Sequence, residues 1–305
     1  MVKDHAVKEG VKVKQSLGER IVEICIYIFV TLIALLMLYP VLNVLAVSLS
    51  DYHEYVKAPW MVIPRKFTLD AYDYVAKNQM FWRSYLNSFF IVAIGTVIGL
   101  AITILIAYPI SRPELKGKGF FVGIMIVTMV FTPGMIPEFI NIRNLGLYNT
   151  IWAVILPGTF SAFNCILMIN FFREIPASLI DAAKIDGAGE PYILWNIVVK
   201  LSSPVIATIT LYLAVGYWNN YFNAQIYLEK RELWPISLTL KEILMEASVA
   251  IMQAEGDAAL LDMSKLNTTT LQYACVVASM IPMMIIYPFL QKYFAKGILL
   301  GGVKG

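Results

Sequence analysis

The chain has 305 residues, 59% of them hydrophobic and only 15% charged, where an ordinary soluble domain carries about 25% charged residues. Its mean hydropathy of +0.68 excludes a water-soluble globule, which would have to hold large apolar patches against solvent. A net charge of +3, with no basic run interleaved with aromatic residues, excludes a nucleic-acid-binding surface.

The first stretch without Asp, Glu, Lys or Arg covers residues 24–50. It is longer than the roughly 7 to 15 apolar residues of a signal peptide, and no small-residue cleavage site follows it. It is therefore expected to remain as the first transmembrane helix. Further charge-free windows cover residues 84–111, 119–137, 144–172, 201–228 and 266–291. Each reaches or exceeds the roughly 17 to 25 residues that a helix needs to cross the hydrocarbon core. The expected fold class is all-α: a polytopic membrane protein with a six-helix transmembrane domain over residues 21–291, a segment 1–20 before it and a tail 292–305 after it. Segments 1–20, 111–118, 173–200 and 292–305 carry 14 Lys and Arg against 10 on the opposite side. By the positive-inside rule, both termini are expected in the cytoplasm. Cys25, Cys165 and Cys275 fall inside spans without metal-like spacing and read as small apolar fillers.

Between the first two spans, residues 51–83 form an external surface segment of mixed charge with Pro59 and Pro64. Residues 173–200 alternate apolar, small and charged residues without a membrane-length run, and two short helices fit them. Pro176 suits the first turn of one, Gly187 the left-handed residue that ends it, and Pro191 the start of the next. Helical spacing sets Ile180, Ala183 and Gly187 along one stripe, where small residues would admit another protein's backbone, with Asp181 and Asp186 as carboxylates beside it. In the fifth span, spacing puts Tyr217 and Tyr221 on one face and Asn219 and Asn223 on another. Together with Asn220 and with Asn164 of the fourth span, these residues are either a path for a neutral solute lined by aromatic faces and amides or a membrane-interface belt and packing cluster. The external loop 229–265 repeats apolar residues Leu240, Ile243, Leu244, Ala247 and Ile251 at helical spacing beside Lys241, Glu242, Glu246 and Glu255. That pattern is an amphipathic helix, which either packs on the ends of the spans or docks an extracellular partner.

Ion-coupled carriers place ionisable residues inside their spans, where they are expensive and functional, and these windows hold none. A membrane enzyme would need a nucleophile with its base, or a metal cluster, and neither is found. No G-x-x-x-x-G-K-[S/T] loop occurs, so a nucleotide would have to be bound by a partner.

The string Asp181-Ala182-Ala183-Lys184-Ile185-Asp186-Gly187-Ala188 resembles the EAA motif of binding-protein-dependent ABC importer permeases. Tyr108-Pro109-Ile110-Ser111-Arg112, Met135-Ile136-Pro137, Leu145-Gly146-Leu147, Trp152 to Pro157, Trp218-Asn219-Asn220-Tyr221, and the tail from Tyr293 to Gly305 resemble the MalG-type carbohydrate permeases. The stretch from Trp218 to Leu228 is similar to the YtcP/LplC branch of that group. Two positions depart from the pattern: Asp181 stands where Glu is usual, and Lys200 where proline commonly closes the motif region. The resemblance implies a MetI-like fold and a transmembrane permease subunit in the cell membrane that moves an oligosaccharide by alternating access. It also implies the partners: a second homologous permease, two ATPase subunits that bind the ATP and magnesium, an extracellular solute-binding protein, and membrane lipid. No cofactor is expected in this chain. Ile180, Asp181, Ala182, Ala183, Asp186, Gly187 and Ala188 would form the ATPase-coupling site.

Overall fold

The computed structural model of the chain describes residues 17–253 and 269–286. Among them there is no strand, only one isolated bridge between Ser50 and Phe67. Helix α1 (Leu17–Ser48) is followed by two short helices, α2 (Tyr52–Lys57) and α3 (Asp70–Lys77), and by α4 (Gln79–Ser111). Asn78 starts α4 by accepting the Phe81 amide N–H at 3.1 Å, a standard side-chain cap. Among the described residues three helices are long and apolar enough to span a membrane alone: Arg20–Ser48, Gln79–Ser111 and Thr269–Ile286. The last of these matches the sixth expected window within the described residues, whereas the tail 292–305 lies outside them.

The other three windows are broken, where unbroken helices were expected. Helix α5 (Lys118–Val130) turns by 113° into α6 (Met135–Asn144) across a break holding Pro133 and Gly134. Helix α7 (Trp152–Ile155) runs through a tight 3-10 turn, Leu156–Gly158, and is bent by 44° from α8 (Ala162–Arg173), which Ser161 caps. After α9 (Ala177–Ile185) come α10 (Glu190–Ile193), a π-helical turn Leu194–Val198 and α11 (Val199–Leu201). This rod meets α12 (Ser203–Asn219) at 83°. Helix α12 stops at Asn220, whose side chain accepts the Asn223 N–H at 3.2 Å and starts α13 (Tyr221–Tyr227). Charge-free composition measures affinity for lipid, while proline, glycine and capping residues decide where the helix continues.

Helices α8 and α12 pack along α4, and the centre of that packing is Tyr217. Its ring lies where a Cβ on Gly95 would approach to 2.6 Å and one on Gly158 to 2.9 Å. Its hydroxyl donates to the Ile155 carbonyl at 2.9 Å. Gly95 and Gly99 are a small-xxx-small pair that lets helices approach closely. Trp218 is buried beside Tyr85 and Phe89, with ring centroids at 5.8 and 5.5 Å. At the same end of α4, Ser84 bonds Thr239 at 2.7 Å and Ser88 accepts the Ile236 N–H at 2.8 Å. These bonds fix the start of α14 (Ile236–Gln253), the amphipathic helix expected from the loop sequence. Its Leu240 and Ile243 pack onto the cluster around Phe81 and Trp218. The side chains of Ala247 and Ile251, and residue Glu255, lie outside the description.

Candidate functional site

Two features stand out: an exposed turn carrying the Asp181–Ala188 string, and a cavity between α8 and α12.

Helix α9 follows Pro176 and ends in a Schellman turn. The Gly187 N–H bonds the Lys184 carbonyl at 3.0 Å and the Ala188 N–H bonds the Ala183 carbonyl at 2.9 Å, with Gly187 at φ +82°, the left-handed conformation glycine supplies. The stripe expected to meet a partner is corrected here. Ile180 and Ala183 are buried in the chain's own core, because the apolar side of an amphipathic helix is taken up by the nearest apolar surface. What the turn presents outward is Asp181, Ala182, Ile185, Asp186 and Gly187, with Ile185 86% exposed. Ala188 is half-buried. Beside the turn is a hollow of about 490 Å³ lined by Ala183, Asp186, Gly187, Ala188, Tyr192, Asn196, Ile197 and Lys200, so the departing Lys200 faces it together with Asp186.

A polar cluster ties this turn to the end of α4. Lys184 Nζ lies 3.1 Å from Glu190 Oε1 and 3.7 Å from Glu114 Oε1. The Tyr108 hydroxyl donates to the Glu190 carboxylate, and the Arg112 guanidinium stands 4.3 Å from the centre of the Tyr108 ring. The hydrogen bond from Tyr108, followed by Lys184, holds Glu190 below the usual carboxylate range. The bond to Glu190 raises the Lys184 ammonium. Sequence reasoning missed this cluster, since it joins residues far apart in the chain.

The cavity, about 740 Å³, is lined by Gly158, Ser161, Phe163, Asn164, Leu211, Tyr212, Leu213, Val215, Gly216, Tyr217 and Asn220. It brings together Asn164, Tyr217 and Asn220, three of the six residues singled out for a path. Asn219, Tyr221 and Asn223 do not line it. The break at Asn220 removes the helical register that would have paired Tyr217 with Tyr221 and Asn219 with Asn223. Tyr221 instead carries Lys241 over its ring at 4.9 Å. Among the described residues no charged side chain lines the cavity, and its polar side-chain groups are amides and hydroxyls. Ser161 and Tyr212 were not foreseen.

Among the described residues, three whole and up to three broken spans with a capped acidic turn outside them make this a polytopic membrane protein. Residues 99–300 match the family described as binding-protein-dependent transport system inner membrane component, and the chain belongs to that family. It is 40% identical to the polygalacturonan/rhamnogalacturonan transport system permease protein YtcP of Bacillus subtilis (strain 168), over 94% of this chain and 99% of the relative. It is 36% identical to Protein LplC of the same organism, over 94% and 96%. Its structure is similar to a chain of a bacterial ABC transporter involved in the import of the acidic polysaccharide alginate. That match has a TM-score of 0.83 at 34% identity and covers 93% of this chain and 100% of the other. The resemblance read from the motifs and the all-α, MetI-like permease fold both hold.

Proposed function

We propose that the chain is one of two permease subunits of an importer for oligosaccharides, powered by two partner ATPase subunits and supplied by an extracellular solute-binding protein. The observation that carries this reading is the likeness along nearly the whole length to a permease named for polygalacturonan and rhamnogalacturonan. The cavity chemistry agrees with it. Asn164 and Asn220 offer paired donors and acceptors to hydroxyls, and the phenol ring of Tyr212 offers an apolar face to sugar C–H groups. The exposed turn from Asp181 to Gly187 is the ATPase docking site; ATP and magnesium belong to the ATPase subunits. When those subunits close, the turn moves with them. The cluster Tyr108–Glu190–Lys184 passes the displacement to α4, while the α10–α11 rod passes it to α12. Each ligand shifts the equilibrium only by its differential affinity for the inward and outward states.

The test assembles the chain with its partner subunits, finds the sugar by screening the binding protein, and measures sugar-stimulated ATP hydrolysis and uptake. Asn164→Ala removes one hydrogen-bonding group from the cavity, a loss of about 0.5 to 1.5 kcal/mol, so the sugar concentration for half-stimulation rises about two- to tenfold. Asn219→Ala leaves it at the parental value. An unchanged sugar response in the first variant rejects the cavity as the path; failure of every oligosaccharide to stimulate hydrolysis rejects the substrate class.

The same reading puts the turn and the 112–118 loop on the cytoplasmic side. In intact cells, a cysteine replacing Lys57 is expected to react with an impermeant thiol reagent and one replacing Lys116 to stay unlabelled. The reverse pattern overturns that orientation.

A further inference from the structure

The segment from Ala58 to Pro64 has no charged residue, lies between Lys57 and Arg65-Lys66, and folds back along the first span. Asn43 donates through Nδ2 to the carbonyls of Pro59 at 2.9 Å and Met61 at 2.8 Å, and the Tyr39 hydroxyl donates to the Trp60 carbonyl at 3.4 Å. Along the axis, at about 1.5 Å per residue, Asn43 lies about 7 Å and Tyr39 about 13 Å before the helix end at Ser48. Helix side chains lean toward the N-terminus, so the carbonyls they reach lie no nearer to Ser48 than Asn43 and Tyr39 themselves. The charge-free window that contains both residues exceeds the roughly 30 Å hydrocarbon core by about 10 Å, which puts the tip of this loop where the acyl chains meet the headgroups. Its return segment climbs back to the end of α1, where the Arg65 N–H donates to Ser50 Oγ at 2.9 Å and the Thr68 N–H to the Leu49 carbonyl at 3.1 Å.

We propose that residues 58–64 form a lipid-immersed wedge, with Trp60 and Ile63 among the acyl chains of the leaflet at the C-terminal end of α1, and Lys57, Arg65 and Lys66 at its phosphate layer. Trp60 is 79% exposed and Ile63 77% exposed, and both continue the apolar surface of α1, whose span window is wholly unburied. Only Met61 turns inward, against Ala46 and Val47. Irregular backbone at membrane depth needs its polar groups satisfied, and protein satisfies part of this loop: Asn43 and Tyr39 take three carbonyls, the Met61 N–H bonds the Ala58 carbonyl at 3.2 Å, and Pro59 and Pro64 have no N–H. The N–H groups of Trp60, Val62 and Ile63 keep the loop backbone at the headgroup layer, with its side chains reaching the acyl chains. The wedge gives the Asn43 amide its hydrogen-bond partners within a charge-free span. Tryptophan with flanking cations is the residue set that settles at a membrane interface.

The test uses the full chain with its co-purifying subunits in vesicles of phosphatidylcholine brominated near the carbonyl end of its acyl chains, compared with unbrominated vesicles. Subtracting the fluorescence of Trp60→Phe from that of the parent isolates Trp60, since every other tryptophan cancels. Bromolipid is expected to quench this component several-fold more than iodide in the aqueous phase does. A component quenched by iodide and not by bromolipid puts the loop in water. One quenched by neither puts it under a protein partner; either result overturns the wedge. A nitroxide on Ile63→Cys gives a second reading: it is expected to be more accessible to oxygen than to a water-soluble nickel chelate, with Lys66→Cys showing the reverse.

Discussion

Gly187→Leu is expected to lower transport at least tenfold while the amount of chain in the membrane stays at the parental level. Among the described residues, nothing lies within 4 Å of a Cβ built on Gly187, so the new side chain meets no part of its own protein. Two effects remain. A residue other than glycine in the left-handed conformation is strained by about 1 to 2 kcal/mol, and a leucine standing on the proposed docking face would overpack the proposed partner contact by about 1 to 3 kcal/mol. At about 1.4 kcal/mol for each factor of ten in affinity, the second effect alone reaches tenfold. Asparagine tolerates the left-handed conformation and is shorter, so Gly187→Asn separates the two: it should keep the cap and lose less transport than leucine. The measurements are uptake, membrane abundance of the chain, and co-purification of the ATPase subunits. Parental uptake and recruitment in the leucine variant would sink the docking assignment.

The end of α9 was legible in the sequence because a Schellman turn is local: Gly187 and its neighbours contain every group that forms it. Which side of α9 faces outward was not. Ile180 and Ala183 look like a docking stripe only until the core that covers them is known, and the outward signal was Ile185, an isoleucine on the charged side of the helix. The breaks were written locally too, in Pro133-Gly134, in Pro157-Gly158, and in Asn220 three residues before the amide it caps, yet a charge-free window averages over them. The packing around Tyr217 joins α4, the 3-10 turn and α12 across long sequence separations, so spacing within one helix cannot reveal it. Gly95 and Gly99, four residues apart in an apolar run, were its one local trace.

That packing predicts the largest structural effect in the chain. Gly95→Leu is expected to abolish accumulation of the folded protein, and Gly95→Ala to lower its thermal midpoint measurably. The first added carbon already comes within 2.6 Å of the Tyr217 ring, closer than carbons in contact approach. The ring is hemmed in on two sides and has room only toward the cavity between α8 and α12. Its other side meets Gly158, where an added carbon would stand 2.9 Å away, and its hydroxyl is held by the Ile155 carbonyl at 2.9 Å. A swing of the ring would break that hydrogen bond, a loss of about 0.5 to 1.5 kcal/mol, on top of about 1 to 3 kcal/mol for the overpacking. The partner of the clash can be identified by rescue. Tyr217→Ala alone opens a cavity and destabilises, but in combination with Gly95→Ala the two losses should be less than additive, because the ring that the new methyl strikes is gone. Thermal unfolding of the four detergent-solubilised proteins, followed by exposure of a buried cysteine such as Cys165, gives the coupling. Additive losses would show that the strain at Gly95 is taken up by another neighbour, and a Gly95→Leu chain with the parental midpoint would show that α4 and α12 do not meet at this point.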